Sequence, residues 1–372
     1  MRTFRFAVSA ITLLLASTLA AADQPKFINA QVEARGVSGS LDATIQSLSA
    51  AEASPVWVGY AVPMMPARDG EERSMCCGNW SNGNRDCGPC SLEGSSSNNI
   101  ATNDGGKAAG GTVKLEGSSE MFVLLRVADH HIGKVRTFTE DCQLDAGGLR
   151  VIWVTDAKPQ ESVALLAKIV TSSDFVDRED REPANGALVA IVMQCDPSVD
   201  KALETFVTAE RPEKLRSQTA FWMGTARGAA GQAALKRMAK SDPSTKVREQ
   251  VAFAFSVSRE PGAIDDMIRM AHDDESTSVR EQALFWLAQK AGQRAVGAIS
   301  EAIENDPDTE VKKKAVFALS QLPKEEGVPM LIQVARKNRN PAVRKQAMFW
   351  LGQSHDPRAL EFFEEVLTGP AK

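Results

Sequence analysis

Val279-Arg280-Glu281-Gln282-Ala283-Leu284-Phe285-Trp286-Leu287 is one of five versions of a single nonapeptide. Thirty-two residues earlier the chain reads Val247-Arg248-Glu249-Gln250-Val251-Ala252-Phe253-Ala254-Phe255, and one further step back Leu215-Arg216-Ser217-Gln218-Thr219-Ala220-Phe221-Trp222-Met223. Forward steps give Val311-Lys312-Lys313-Lys314-Ala315-Val316-Phe317-Ala318-Leu319 and Val343-Arg344-Lys345-Gln346-Ala347-Met348-Phe349-Trp350-Leu351. A constant period without insertions marks a solenoid, in which each unit is one supersecondary element that cannot bury its apolar face alone.

At about 100° per residue, positions one, five, eight and nine of the motif share one side of a helix, so that side is expected to pack on the rest of the unit. Position eight alternates Trp222, Ala254, Trp286, Ala318, Trp350, and large beside small predicts interlocked core layers. A first helix is expected ahead of each motif, over 199–208, 232–239, 264–271, 296–303 and 328–335. A degenerate sixth unit covers 159–195, with Ala187, Leu188, Ala190 and Ile191 in the motif's apolar places, and 358–367 forms an unpaired last helix that serves as an end cap. Asp242, Asp274 and Asp306 each stand five residues before a motif. They are expected to cap the second helix, worth ~1 kcal/mol, or to face its basic residue in a weaker exposed pair.

A two-helix unit with V-R-x-x-A-x-x-x-L in its second helix, preceded by Asp or Asp-Pro, resembles the HEAT-like repeats of the phycobilisome-lyase type over about residues 159–369. The resemblance implies a mainly α protein: a right-handed α-solenoid that is a scaffold for binding partners. Two enzymatic relatives of that repeat fit poorly. Deoxyhypusine hydroxylase holds two irons with paired His-Glu motifs, whereas His272 and His355 are each followed by Asp. The chromophore lyases act in the cytoplasm, which an export signal contradicts.

Position seven departs from plain packing. It is Phe in every copy, and by the angular count it points roughly 150° from the centre of the apolar face, toward an inner, concave surface. Gln at positions four and eleven flanks it. The candidate partner-binding residues are therefore Phe221, Gln250, Phe253, Gln282, Phe285, Gln289, Phe317, Gln321, Gln346, Phe349 and Gln353. An apolar row rimmed by amides suits contact with another protein or an extended peptide. The competing reading is that adjacent second helices crowd there and the rings only stack on one another.

Ahead of the repeats, Arg2 and Arg5 precede an apolar run over 6–16, and Ala20-Ala21-Ala22 offers a cleavage site before Asp23. Residues 1–22 are expected to be a signal peptide, and the protein exported, periplasmic or secreted, without a membrane span. Residues 23–157 read as a small α+β module and 158–372 as the solenoid. Within the module, 23–35 reads as a tether, 41–51 as a helix, and 56–62, 121–127, 134–138 and 149–154 as strands, with a turn over 129–133. Residues 63–118 form a long Gly/Ser-rich loop that carries four of the six cysteines.

The disulfide candidates are Cys76, Cys77, Cys87, Cys90, Cys142 and Cys195, and the sequence selects none of their 15 pairings. In an oxidising compartment they are expected to pin the loop to the sheet. A zinc site drawing on these thiols with His130 or His131 suffers from adjacent Cys76 and Cys77, a poor geometry for two ligands. Cys87-Gly88-Pro89-Cys90 is also the tetrapeptide of thioredoxins, but it lacks the strand-to-helix context that activates such a thiolate.

A net charge of −5 gives no basic excess for nucleic acid. The expected function is an exported scaffold that binds a partner protein through its concave face, without catalysis, cofactor or metal. The alternatives are a thiol–disulfide oxidoreductase on the Cys-Gly-Pro-Cys loop, and a glycan- or metal-binding envelope protein presented on a solenoid.

Overall fold

The computed structural model describes residues 25–66, 73–76, 79–81, 84–86, 90–93, 101–102, 119–173, 175, 178–290 and 292–368. The expected leader over 1–22, most of the 63–118 stretch, and Cys77, Cys87 and Pro89 lie outside the described residues. The strands in chain order are β1 (Lys26–Ile28), β2 (Gln31–Gly36), β3 (Val56–Pro63), β4 (Arg73–Ser74), β5 (Asn79–Ser81), β6 (Asn84–Asp86), β7 (Cys90–Ser91), β8 (Ala101–Thr102), β9 (Glu120–Ala128), β10 (His131–Thr139), β11 (Gln143–Asp145) and β12 (Arg150–Thr155). Helix α1 (Leu41–Ala51) falls between β2 and β3. Thirteen helices follow the last strand: α2 (Pro159–Ser172), α3 (Arg178–Met193), α4 (Ser198–Phe206), α5 (Glu213–Ala226), α6 (Gly228–Ser241), α7 (Thr245–Val257), α8 (Ala263–Asp273), α9 (Thr277–Lys290), α10 (Gln293–Asn305), α11 (Thr309–Ser320), α12 (Lys324–Lys337), α13 (Pro341–Gln353) and α14 (Pro357–Thr368).

The main sheet has the order β10-β9-β3-β12-β2, antiparallel across β10, β9 and β3 and parallel across β3, β12 and β2. Alternation decides its two faces. Val56, Val58, Tyr60 and Val62 of β3 point into the core shared with α1, α2 and α3, while Trp57 points the other way, onto Cys90, Leu92, Cys142, Leu144 and Ala146. That second face is covered by the parallel sheet β1-β11-β7. Tyr60, buried, meets the hydroxyl of Ser162 at 3.0 Å, and burial pushes the ionisation of its phenol far up, so it stays neutral. On the other face Glu93 accepts from the indole of Trp57 and from the guanidinium of Arg126, both at 2.9 Å. Burial alone would raise its carboxyl, but those bonds and the Arg126 charge hold it below the usual range.

The stretch 23–35 is thus not a tether: it supplies β1 and the edge strand β2. The turn over 129–133 is tighter than its residues suggested. Asp129 and His130 alone turn the chain, at φ of 49° and 65°, and β10 begins at His131. Two consecutive residues at positive φ give the twist that closes a short hairpin between right-twisted strands.

Helix α3 lies so close to β10 that a Cβ on Gly186 would stand 2.0 Å from the carbonyl oxygen of Val135. The pair α2/α3, the degenerate unit, therefore covers the sheet and also starts the stack. One apolar core runs without a break from Leu41 and the sheet to Phe362 in α14. The pairs α4/α5, α6/α7, α8/α9, α10/α11 and α12/α13 follow, each with the nonapeptide in its second helix, so the chain is mainly α, an α-solenoid behind a small α+β region.

The structure revises how the units are joined. Each carboxylate five residues before a motif accepts from the arginine of the preceding unit. Arg216 reaches Asp242 at 2.8 and 3.1 Å, Arg248 reaches Asp274 at 2.9 and 3.1 Å, and Arg280 reaches Asp306 at 2.8 and 3.1 Å. These side chains are less than a tenth exposed, so the pairs are neither internal to a unit nor exposed. The N-caps of α7 and α11 are instead Ser244 and Asp308, two residues after Asp242 and Asp306, and that of α13 is Asn340. The arrangement follows from reach. A long planar guanidinium spans the gap between units and presents two parallel donors, which a capping position cannot use. Where the fourth copy has Lys312, its ammonium donates to the carbonyl of Glu304 at 2.7 Å and the matching carboxylate is replaced by Asn338.

Candidate functional site

Motif positions one, five and nine are buried in all five copies, as the helical count requires. Position eight is not plain core: Ala254 and Ala318 are buried, but Trp222, Trp286 and Trp350 are only half-buried and join the phenylalanines of position seven. The resulting row is continuous. Trp222 meets Phe221 edge-on at 5.0 Å between centroids, and Phe221 stacks on Phe253 at 5.8 Å, 7° from parallel. Phe253 touches Trp286 at 4.7 Å, Trp286 meets Phe285 at 4.9 Å, and Phe285 stacks on Phe317 at 6.3 Å. Phe317 then touches Trp350, and Trp350 touches Phe349, each at 5.0 Å.

The alternation at position eight explains the connectivity. A tryptophan in every second unit bridges to the phenylalanine of the unit before, and alanine in the others leaves it room. Offset and edge-on ring pairs at these distances are each worth about 0.5–1.5 kcal/mol beyond burial, so the row also holds units together. The rings do stack, but stacking does not consume them: Phe221, Phe253, Phe285 and Phe317 are half-buried and Phe349 is 54% exposed.

The amides lie one turn to either side of these rings on the same helical face. Gln250, Gln282 and Gln346 are half-buried, and Gln289, Gln321 and Gln353 are exposed. Charge changes sign along the row. Position three carries Glu249 and Glu281, then Lys313 and Lys345, and Lys314 sits over the ring of Phe317 at 5.4 Å. Burial lifts the carboxyl of Glu281 above the usual range, against the pull of Lys314.

Cys76 is bonded to Cys142, which ties the segment after β4 to the end of β10. The hydroxyl of Ser74 donates to Asp141 beside it, and the N–H of Met75 donates to Thr139, both at 2.9 Å. The sulfurs of Cys76 and Cys142 lie within 4.8 Å of an Asp141 oxygen, but being bonded to each other they are not a pair of thiolate ligands for zinc. His130 and His131 stand at the hairpin turn, where they line a surface cleft of about 730 Å³ with Ile45, Leu165, Ile169 and Pro183. Cys90 is buried at the start of a strand, and Cys195 is exposed and unpaired. Of the Cys-Gly-Pro-Cys loop only Cys90 is described, and it opens the short strand β7.

Residues 296–372 match a family model described as HEAT repeats. No curated protein matches the chain. Among solved structures, the chain is similar to human deoxyhypusine hydroxylase in complex with glycerol, at 16% identity over 57% of this chain and 92% of that one, with a TM-score of 0.30. It is similar to the CpcE–CpcF complex of phycocyanin lyase from Nostoc sp. PCC7120, at 19% identity over 56% of this chain and 80% of that one, TM-score 0.30. It is also similar to the Kap95p chain of a complex with RanGDP, at 17% identity over 58% of this chain but 33% of that one, TM-score 0.38. Likeness at these levels carries no activity or partner across. No helix among the described residues is long and apolar enough to cross a membrane.

Proposed function

We propose that this protein is an exported scaffold whose second helices bind a partner protein or an extended peptide along the aromatic row, on the concave side of the stack. One observation carries the reading: eight rings from five units form a single connected row that keeps part of its surface in solvent. Packing alone would favour closing such rings inside. A partly exposed row flanked by amides offers a partner both apolar contact and hydrogen bonds to its backbone. The change from Glu249 and Glu281 to Lys313 and Lys345 would fix the direction in which an extended segment lies. Export rests on the leader-like sequence over 1–22.

The test replaces Phe285 and Phe317 with Ser in the full chain and captures partners from the envelope fraction by crosslinking. A binding row loses its captured partner while the protein stays folded by circular dichroism. A row that only stacks loses melting temperature and helicity together, with no partner whose capture depends on the rings.

A further inference from the structure

We propose that the C-terminal end of the solenoid is an open interface completed by a second copy of this chain, α14 of each copy lying where a further second helix would pack on the other. In the repeat register, Leu360, Phe363, Val366 and Leu367 of α14 occupy the places of Val328, Leu331, Val334 and Ala335 in α12, 32 residues earlier. Those four are between 1% and 8% exposed. Three of their counterparts lack that cover, Leu360 at 66% exposed, Val366 at 49% and Leu367 at 84%, while Phe363 is half-buried. Of the five exposed large hydrophobics among the described residues, these three and Phe349 lie at this end. The helix expected to cap the stack thus does not present a polar outer face.

Charge selects the occupant. Arg216, Arg248 and Arg280 each hold a carboxylate 26 residues further on, but the equivalent Arg344 meets Pro370 at that distance in sequence. Its Nη1 donates to the carbonyls of Asn338 and Arg339, and among the described residues no carboxylate pairs with it. Lys345 beside it is exposed. On α14, Glu361 and Glu364 are exposed without a cationic partner among the described residues, while Glu365 is held by Arg336. Glu364 lies between Leu360 and Leu367 on one helical face. One end of the chain therefore carries an apolar helix face, unmatched acids on that helix and unmatched bases on its neighbour. In the proposed two-fold pair each set faces its complement, the self-matching that an isologous interface needs.

Light scattering of the purified full chain over about 1–100 μM tests this. The expected mass rises from 40.1 kDa toward twice that value. Leu360→Glu and Leu367→Glu each weaken the dimer by about tenfold or more, while the helical content stays that of the wild type because both sites are exposed in the single chain. Should Leu360→Glu disturb folding, Leu367→Glu, at the more exposed site, carries the comparison. Arg344→Glu weakens the dimer as well, and adding Glu364→Arg restores it. A chain that stays monomeric throughout, as it would if another protein or a further segment covered this face, overturns the proposal. A dimer indifferent to Leu367→Glu overturns it too, and failure of the charge exchange to restore association overturns the pairing of Arg344 with Glu364.

Discussion

Replacing Arg248 with Ala should loosen the stack at one joint, by about 3 kcal/mol. The figure comes from the burial of the pair. Arg248 and Asp274 are 6% and 4% exposed as side chains and meet through two parallel bonds of 2.9 and 3.1 Å. An exposed pair would be worth about 0–1 kcal/mol, whereas losing one partner of a buried pair costs about 3–5 kcal/mol because the other charge is stranded. The lower end applies here, since Asp274 keeps the N–H of Ser276 at 2.8 Å and exposed Glu275 lies close enough to admit water. A third bond, from Arg248 to the carbonyl of Asp242 at 2.8 Å, disappears with the side chain and leaves that carbonyl short of a donor.

Urea unfolding followed by circular dichroism measures the loss. Hydrogen exchange locates it, with α8 and α9 opening more readily than α2 and α3, because a solenoid unit feels chiefly its neighbours. The double change Arg248→Met with Asp274→Leu should recover much of the stability, as apolar replacements of buried pairs often do. A loss below about 1 kcal/mol, or one spread evenly over the chain, would refute the argument that these pairs join the units.

Cys76→Ala opens a covalent link across 66 residues and should cost about 4 kcal/mol on the chain-entropy estimate, read from denaturant midpoints with and without reductant. Gly186→Val places a Cβ where only 2.0 Å separates it from a backbone oxygen, so α3 must lift off β10 and thermal stability should fall by about 2 kcal/mol or more. The hydrogen bond from Arg358 holds Asp356 at about 2, below its ordinary 3.8. A depressed carboxyl stabilises fully above the unfolded value and loses that contribution as pH falls through the folded one. The melting-temperature gap between the wild type and Asp356→Asn should therefore be open at neutral pH and narrow between roughly pH 4 and 2.

The repeat was legible because period and helical spacing are properties of sequence order alone. Val247, Val251 and Phe255 had to share a face once the segment was helical, and all three are buried. What escaped was whatever depends on contact across units. Asp274 sits five residues before its own motif, and nothing local says that its partner is Arg248, 26 residues upstream. The half-buried tryptophans escaped for a related reason. The helical count put Trp286 on the apolar side as core, and only the approach of Phe253 at 4.7 Å shows that it belongs to the row. Alternation of Trp with Ala was the available signal, legible as packing but not as a bridge between units. In the N-terminal region β3 was plain from its β-branched run, whereas β1, three residues long, and β2, with no buried residue, gave no pattern to read.

Photo-crosslinking from single sites decides whether a partner lies along the aromatic row. A photoreactive phenylalanine analogue at Phe253 or Phe285, on the row, is compared with one at exposed Glu301 on a first helix. One discrete partner adduct is expected from both row positions and none from Glu301. Adducts of equal yield from all three sites, or from Glu301 alone, would contradict it.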